Sequence, residues 1–234
     1  MLGRVESCIV RLASLFSGGK DSTYSTYLME QQGHTIDVLV SIEPADQHSW
    51  VFHTPNLHLL PLISEAMQKN LVTAQSTGSE DSDLAALFRV LSPLDIDGII
   101  TGAIASDYQW DRINGVCEDL GLRTFSPLWR KDQKMVLREI VDCGIRAIIV
   151  GVYAEGLERG FLGARLDHEC IGRLIELEES HGINVSGEGG EYETLVLDSP
   201  MHIAPIEVIE TDQVITRDGG RLTVVKAGLG RIDE

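Results

Sequence analysis

The feature that most constrains this chain is the hexapeptide at residues 17–22, which reads SGGKDS between an apolar run and an amphipathic segment. That order predicts a strand, a tight glycine-rich turn and a helix. Two adjacent glycines reach backbone conformations closed to other residues, so several N–H groups can point into one concavity. The helix N-terminus adds unpaired N–H groups, and Lys20 adds a positive charge. The segment therefore predicts a phosphate-binding loop at a strand-to-helix turn.

The spacing of this loop separates it from two other nucleotide-binding motifs. It lacks the GxxxxGK[ST] pattern of a Walker A loop and the GxGxxG pattern of a dinucleotide fingerprint. It matches SGGxDS and so resembles the pyrophosphate loop of the ATP pyrophosphatases, which cleave ATP between the α and β phosphates. That resemblance implies ATP and says little about the second substrate. A glycine turn capped by serine and aspartate is the plainer alternative.

Composition narrows the function classes. Lysine and arginine number 19 against 36 aspartates and glutamates, which gives a net charge of −17. Nucleic-acid binders need a basic surface, and no Lys/Arg cluster is present, so tRNA is disfavoured as a substrate. No apolar run is long enough to span a membrane, and the first residues lack the apolar core of a signal peptide, so a cytoplasmic location is expected. The cysteines form no CxxC pair, which argues against a disulfide framework or a zinc ribbon; they are Cys8, Cys117, Cys143 and Cys170.

Strand and helix patterns alternate through the first half of the chain, which predicts a doubly wound parallel sheet. The expected fold class is α/β, with a Rossmann-like (HUP-type) parallel sheet that carries the pyrophosphate loop and a smaller C-terminal α/β domain. The predicted nucleotide-binding domain is 1–128, and the predicted second domain is 129–234. Helices are expected at 21–32, 57–70, from 79, at 106–120, 133–143 and 167–181, and strands at 12–16, 36–42, 71–74, 97–103, 122–125 and 147–152. A terminal hairpin that turns at 218–220 is interpreted as structural.

The carboxyl ends of these strands are the expected ligand edge of the sheet. Ser41 lies near the end of the second strand, and the loop at 43–56 is expected to lie over the adenosine. In that loop, His53 and Asn56 could position the nucleotide, although capping the next helix is the plainer interpretation of Asn56.

A second set of polar side chains follows the strand expected at 97–103. That strand ends in small residues, including Gly102, which let a ligand approach the backbone. The helix after it begins at Ser106, and Gln109 and Arg112 share its face, which is directed towards the same sheet edge. An ion pair with an acidic neighbour is the alternative for Arg112.

Residues 187–194 form the other stretch that packing alone does not explain, because GEGGEYET places three carboxylates within six residues. Clustered carboxylates repel one another and commonly bind a cation, and the glycines let a ligand approach the backbone closely. The carboxylates could hold Mg²⁺ on ATP, accept a proton from an amine nucleophile or meet a cationic substrate group. A solvated acidic turn is the alternative.

Taken together, these stretches resemble the diphthine–ammonia ligase family over about residues 8–205. The resemblance rests on SGGKDS, the His53 loop, 101–109 with Arg112 and Cys117, Pro127-Leu128-Trp129, and GEGGEYET with Asp198 and Pro200. It implies the last step of diphthamide synthesis, in which a carboxylate on a modified histidine of translation elongation factor 2 is amidated with ammonia through an acyl-adenylate, releasing pyrophosphate and AMP. One departure is that this chain reads Leu162-Gly163-Ala164-Arg165 where the family commonly has Leu-Gly-Arg.

The resemblance also implies roles for individual residues. The catalytic candidates are Lys20, Asp21, Glu188 and Glu191, with Asp21 as the contact to Mg²⁺. The ATP-binding candidates are Ser17, Gly18, Gly19, Lys20, Asp21, Ser22, Ser41, His53, Gly102 and Ser106. The acceptor-binding candidates are Tyr108, Gln109, Arg112, Trp129, Glu188, Gly189, Gly190, Glu191, Tyr192 and Glu193. Tyr192, Tyr108 and Trp129 are candidates for a cage around the trimethylammonium group of the modified histidine.

The expected partners are elongation factor 2 bearing diphthine and free ammonium, since no glutaminase-type domain is recognisable. The second domain would then bind the acceptor. The oligomeric state is left open, with a homodimer among the options. Three other functions stay open from sequence: a tRNA-modifying ATP pyrophosphatase such as a thiolase or lysidine synthetase, an amidotransferase that makes a nucleotide or NAD, and a non-catalytic nucleotide-sensing module.

Overall fold

The computed structural model describes residues 9–44, 56–157, 160–217 and 219–231. Cys8 and the expected nucleotide contact His53 lie outside the described residues. The three described cysteines are free thiols, and two of them, Cys117 and Cys170, are buried. Within the described ranges, no helix has both the length and the apolar character needed to cross a membrane.

The first half of the chain builds a parallel sheet with helices on both faces. Its strands are β1 (Arg11–Leu15), β2 (Thr35–Pro44), β3 (Asn70–Ser76), β4 (Gly98–Ile100) and β5 (Arg123–Phe125), and its helices are α1 (Lys20–Gln31), α2 (Leu60–Ala66), α3 (Glu80–Leu91) and α4 (Asp107–Leu120). Among the described residues, the five strands pair in the order β3-β2-β1-β4-β5, all parallel. This doubly wound order confirms the predicted Rossmann-like sheet and places the carboxyl ends of β1, β2 and β4 side by side.

The second half builds an antiparallel sheet. Its elements are α5 (Gln133–Asp142), β6 (Arg146–Val152), α6 (His168–His181), β7 (Tyr192–Asp198), β8 (Ile206–Ile215) and β9 (Gly220–Leu229). The strand order is β7-β6-β9-β8, and β8 with β9 forms the expected terminal hairpin. The sequence pattern did not predict β7, which begins inside the acidic GEGGEYET segment.

Capping residues explain why several helix ends were predictable. The side chain of Asp167 accepts a hydrogen bond from the Cys170 N–H at 2.9 Å, and α6 ends at Gly182 with φ +70°. Gly121 ends α4 in the same left-handed conformation. The helix expected at 57–70 was wrong in length: a 3₁₀ turn precedes α2, which stops at Ala66. Gln68 then takes a left-handed conformation (φ +53°) that a helix cannot continue through.

The main apolar core is shared by the two halves of the chain. Phe16, Leu60 and Leu128 from the first half pack in the same cluster as Ile149 and Leu195 from the second. The other face of the parallel sheet packs separately on α3 and α4, through residues that include Ala13, Val40, Leu87, Ile99 and Ile113. The division at residue 128 therefore stays a prediction about organisation, and the first core cluster crosses it.

Candidate active site

The glycines of the SGGKDS loop hold a backbone shape that larger residues would disturb. Gly18 has φ +76°, and a Cβ there would lie 3.2 Å from the Leu60 side chain. Gly19 is the N-cap of α1 and supplies no side-chain hydrogen bond to it. A Cβ on Gly102, at the end of β4, would lie 2.9 Å from the Ser22 nitrogen. The carboxyl end of β4 is thus packed directly against the first turn of α1.

The acidic segment lies against this loop, although about 170 residues separate the two in sequence. The Lys20 backbone N–H donates to the Thr194 Oγ1 at 3.1 Å, and the Val196 N–H donates to the Gly18 carbonyl at 2.9 Å. The Lys20 Nζ donates to the Ser186 carbonyl at 2.6 Å. The two motifs that the sequence marks as chemical are therefore joined by direct hydrogen bonds.

Lys20 is a buried charge with several partners. Its side chain is 4% exposed, and its Nζ lies 2.7 Å from the Asp21 Oδ2 and 5.3 Å from the centre of the Tyr192 ring. Burial, followed by the charge of Asp21, raises the pKa of Tyr192 well above its ordinary value, so the phenol stays protonated and donates to the Val185 carbonyl at 2.9 Å. These contacts fix the Lys20 ammonium at the loop.

Glu188 closes the turn before α4. Its Oε1 accepts from the N–H groups of Ile104, Ala105 and Ser106 at 2.6, 2.8 and 3.2 Å. A carboxylate is favoured there because these N–H groups lie at the positive end of a helix. Among the described residues, its Oε2 is buried without a hydrogen-bond partner. Glu188 thus ties the acidic segment to the parallel sheet while one oxygen stays uncommitted.

These elements enclose a cavity of about 870 Å³. The predicted site residues that line it are Ser17, Gly19, Lys20, Asp21, Ser22, Ser41, Gly102, Gln109, Glu188, Gly189, Gly190, Tyr192 and Glu193. Gly18 faces the side chains of α2 instead, and Ser106 acts as the N-cap of α4 by accepting from the Gln109 N–H. The volume lies towards the upper end of the roughly 300–1,000 Å³ typical of small-molecule sites.

Two acceptor-binding candidates lie outside this cavity, on the surface of α4. Arg112 and Tyr108 both hydrogen-bond the Glu80 carboxylate, and the Arg112 guanidinium lies 3.4 Å from the centre of the Tyr108 ring. Arg112 and then Tyr108 hold the pKa of Glu80 below its ordinary value. The ion pair that was the alternative for Arg112 is the arrangement observed.

The three aromatic rings expected to form a cage do not converge. Trp129 stacks on Trp110 with ring centres 5.3 Å apart, and the Arg130 guanidinium lies 4.9 Å from the Trp129 ring. Each of the three rings already has a cation of this chain near it: Lys20 for Tyr192, Arg112 for Tyr108 and Arg130 for Trp129. A cage built from all three would need them to move together and exchange these cations.

Glu191 faces away from the main cavity. Its Oε1 accepts from the Asn184 N–H at 3.0 Å, and it lines a second cavity of about 650 Å³ beside Asp132 and Glu178. A Cβ on Gly189 would lie 2.6 Å from the same Oε1, so a larger residue there would displace this carboxylate. Arg165, at the departure from the family pattern, is exposed and does not line the main cavity.

The lining residues that were missed as functional candidates include Thr194, Tyr153 and Arg221. Thr194 belongs to GEGGEYET but was not assigned a role. Tyr153 follows the end of β6, and Arg221 lies at the start of β9, in the hairpin that was interpreted as structural. No local sequence signal marks Tyr153 or Arg221, because both reach the cavity only through the pairing of β6, β7 and β9.

A magnesium ion fits this site only together with phosphates. In the part of the chain that the structure describes, no group of three or more His, Cys, Asp or Glu side chains could hold a metal. Asp21 lines the cavity, and its Oδ1 is buried without a partner among those residues. Mg²⁺ is commonly bound through one or two carboxylates plus substrate phosphates and water, which is the arrangement that Asp21 offers.

Comparison with known proteins gives concordant matches. The family model described as the diphthamide synthase N-terminal domain matches residues 10–124, and that of the C-terminal domain matches residues 132–229. The diphthine–ammonia ligases of Homo sapiens and Bos taurus are 36% and 35% identical, each over 88% of this chain and 85% of the relative. The diphthine–ammonia ligase of Schizosaccharomyces pombe is 32% identical over 93% of this chain and 39% of its own length.

Among solved structures, a predicted subunit of tRNA methyltransferase from Methanocaldococcus jannaschii aligns with a TM-score of 0.46 and 14% identity. The alignment covers 81% of this chain and 98% of that chain.

Proposed function

The chain belongs to the diphthamide synthase family, and on that premise we propose that it is a diphthine–ammonia ligase, which uses ATP to amidate diphthine on translation elongation factor 2. The two family models together extend from residue 10 to residue 229, so the match covers both halves of the cavity. A non-catalytic nucleotide sensor would not need the second, acidic half. The acceptor is a translation factor, so the proposed location is the cytoplasm.

The observation that carries the proposal is the direct contact between the phosphate loop and the acidic segment. Lys20 donates to the Ser186 carbonyl and to the Thr194 hydroxyl, so one cavity presents phosphate-binding groups on one wall and carboxylates on the other. A ligase that joins a carboxylate to ammonia needs both, because the nucleotide and the acceptor must meet at one phosphorus atom.

We propose a reaction in two displacements. A carboxylate oxygen of diphthine attacks the α-phosphorus of ATP, which forms the acyl-adenylate and releases pyrophosphate. Ammonia then attacks the acyl carbon, gives up a proton, and displaces AMP. Gly19, Lys20 and Ser22, which line the cavity, would stabilise the charge that develops on the departing pyrophosphate.

Carboxylates of this chain would serve the two steps differently. Asp21 would hold Mg²⁺ on the phosphates through its Oδ1, which has no partner in the described part of the chain, and the ion would neutralise phosphate charge there. Glu188 faces the cavity with a buried oxygen that has no partner among the described residues, and it is the proposed acceptor of the proton that ammonia loses. Glu191 is proposed to act as a positioning residue, because it holds the turn at Asn184.

The test is an amidation assay that follows the modified histidine by mass spectrometry. Elongation factor 2 carrying diphthine is incubated with the protein, ATP, Mg²⁺ and ammonium. The expected result is conversion of the acid to the amide, with AMP and pyrophosphate formed in step. Lys20→Ala should lower the rate by about 10²–10³, as expected when one preorganised donor to a developing charge is removed.

Lys131→Ala provides the matched control, since Lys131 is a half-exposed lysine that does not line the cavity. It should retain wild-type turnover. Conversion of ATP to ADP instead of AMP, or a factor that stays unmodified while AMP is still formed, would contradict the proposal.

A further inference from the structure

One end of the cavity is built by three adjacent strands of the antiparallel sheet. Gly151 on β6 pairs with Glu193 on β7 on one side and with Arg221 on β9 on the other. Neighbouring strands lie about 4.8 Å apart, so the two charged residues begin roughly 10 Å apart across a glycine. Both line the cavity. A negative and a positive side chain therefore flank a position that has no side chain of its own.

Tyr153 fills the space above that glycine. Its hydroxyl donates to the Glu193 Oε2 at 3.2 Å, and its side chain remains partly exposed, at 38%. A Cβ on Gly151 would lie 2.7 Å from the Tyr153 hydroxyl and 3.0 Å from the Glu193 Oε2. The absence of a side chain at Gly151 is thus what allows the tyrosine to approach the glutamate.

Arg221 belongs to the same group of side chains. Burial, followed by the charge of Glu193, raises the pKa of Tyr153, and the Arg221 guanidinium, hydrogen-bonded to this tyrosine, opposes that shift. The group adjoins the phosphate loop, because Thr194 follows Glu193 directly and hydrogen-bonds the Lys20 backbone. Tyr153, Glu193 and Arg221 line the same cavity as the phosphate loop, so a ligand held here would share that cavity with a bound nucleotide.

We propose that Tyr153, Glu193 and Arg221 form the subsite that selects the acceptor side chain. Arg221 directs its carboxylate towards the α-phosphate, and Glu193 with the Tyr153 ring holds its trimethylammonium group. The inference rests on the proposed function and deepens it by naming specificity residues. The carboxylate of a doubly charged acceptor matches a guanidinium, and its quaternary cation matches a carboxylate beside an aromatic face.

The test of Arg221 separates the acceptor from the nucleotide. In the amidation assay, Arg221→Met should raise the KM for diphthine-bearing elongation factor 2 by about 10- to 100-fold, as expected for the loss of a charge-assisted hydrogen bond. The KM for ATP should stay within about twofold of the wild type, since the phosphate loop is intact. Arg221→Lys keeps the charge and loses the planar guanidinium. Its KM for the diphthine-bearing factor should lie between those of the wild type and Arg221→Met.

The test of Glu193 and Tyr153 uses two acceptors that differ in methylation. One is the diphthine-bearing factor, and the other carries the same side chain with an unmethylated amine. Glu193→Gln should raise the KM for both, because both carry a cation. Tyr153→Leu should raise the KM for the trimethylated form more than for the amine, whereas Tyr153→Phe keeps the ring and should preserve the discrimination.

Lys226→Met is the matched control for Arg221→Met, because it removes a cation from the same strand at an exposed position outside the cavity. It should leave both KM values unchanged. If Arg221→Met raises the KM for ATP in parallel, Arg221 belongs to the nucleotide site and the proposal is overturned. Unchanged KM values for the factor would overturn it too. Wild-type protein that does not amidate the factor at all would instead refute the proposed function.

Discussion

At the residue scale, two buried carboxylate oxygens of the main cavity are the atoms best placed to contact a ligand. The oxygens Asp21 Oδ1 and Glu188 Oε2 are buried without partners among the described residues, and both side chains line the main cavity. An unpaired buried oxygen costs free energy, so such atoms tend to persist where a ligand completes them. Both are therefore informative positions for substitution.

His202 gives the clearest pH dependence. Burial lowers its pKa to about 4 from 6.5, although Asp198 opposes the shift, and its Nδ1 lies 2.5 Å from the Ser199 Oγ. The folded state therefore favours the neutral imidazole. Its contribution to stability is complete above pH 6.5 and is lost as the pH falls from 6.5 towards 4. The pKa difference corresponds to at most about 3 kcal/mol of unfolding free energy.

His202→Gln should consequently flatten the pH dependence of stability, since glutamine does not titrate. Urea unfolding at several pH values between 7 and 4 measures this dependence. The carboxylates are common to both proteins, so their effect cancels in the difference between the two unfolding free energies. Parallel curves for the two proteins would show that His202 titrates normally in the folded state.

At the scale of elements, Asn56 connects the parallel sheet to the terminal hairpin. It is buried and left-handed (φ +71°), and it makes no capping hydrogen bond, contrary to the plainer sequence interpretation. Its amide donates to the Leu222 carbonyl at 3.0 Å and accepts from the Val224 N–H at 2.7 Å. One side chain thus satisfies two buried backbone groups of β9, the strand that also carries Arg221.

Asn56→Ala should lower the unfolding free energy by about 2–4 kcal/mol, because two buried backbone groups lose their partner and alanine disfavours the left-handed conformation. Asn56→Gly should lower the unfolding free energy by less, because glycine adopts the left-handed conformation without strain while the two hydrogen bonds are still lost. Asn114→Ala is a suitable comparison, since its amide bonds only the Trp110 carbonyl of its own helix among the described residues. Equal urea midpoints for Asn56→Ala and Asn114→Ala would contradict this role.

Elements whose ends are set by local chemistry were the ones that the sequence predicted well. Asp167 and Gly182 delimit α6 through contacts within a few residues, so their types alone are sufficient. The strand β7 was missed because its first residues were interpreted as part of the acidic GEGGEYET segment, although the strand itself contains no glycine and is rich in residues that favour strands. Its pairing with β6 and its hydrogen bond to the phosphate loop are long-range and leave no local sequence signal.

The same distinction separates the predicted from the unpredicted parts of the site. The phosphate loop and Glu188 could be predicted as site candidates because each places charged side chains at a glycine-rich turn, and the structure brings both to one cavity. The direction of the Glu191 side chain and the presence of Tyr153 and Arg221 in the cavity depend on which strands pair. Strand pairing is long-range, and the local residue pattern does not predict it. Arg112 was ambiguous for the same reason until Glu80 was located beside it.

For the whole molecule, the shared core predicts cooperative unfolding. The largest apolar cluster contains Phe16 and Leu60 from one half and Ile149 and Leu195 from the other, so neither half can open without exposing part of it. Denaturation followed by far-ultraviolet circular dichroism and by tryptophan fluorescence should give coincident transitions. Two separated transitions would mean that the parallel and antiparallel sheets unfold independently.

The hydrogen bonds from Lys20 to Ser186 and Thr194 also have a consequence for the synthesis of the chain on the ribosome. A ribosome adds about 5–20 residues per second, so at least about 8 seconds pass between the synthesis of the loop and that of its partners, 166 and 174 residues later. During that interval the nascent chain lacks Glu188, Glu193 and Arg221, which line the cavity in the complete fold. The groups proposed to bind the acceptor are therefore the last part of the site to be synthesised.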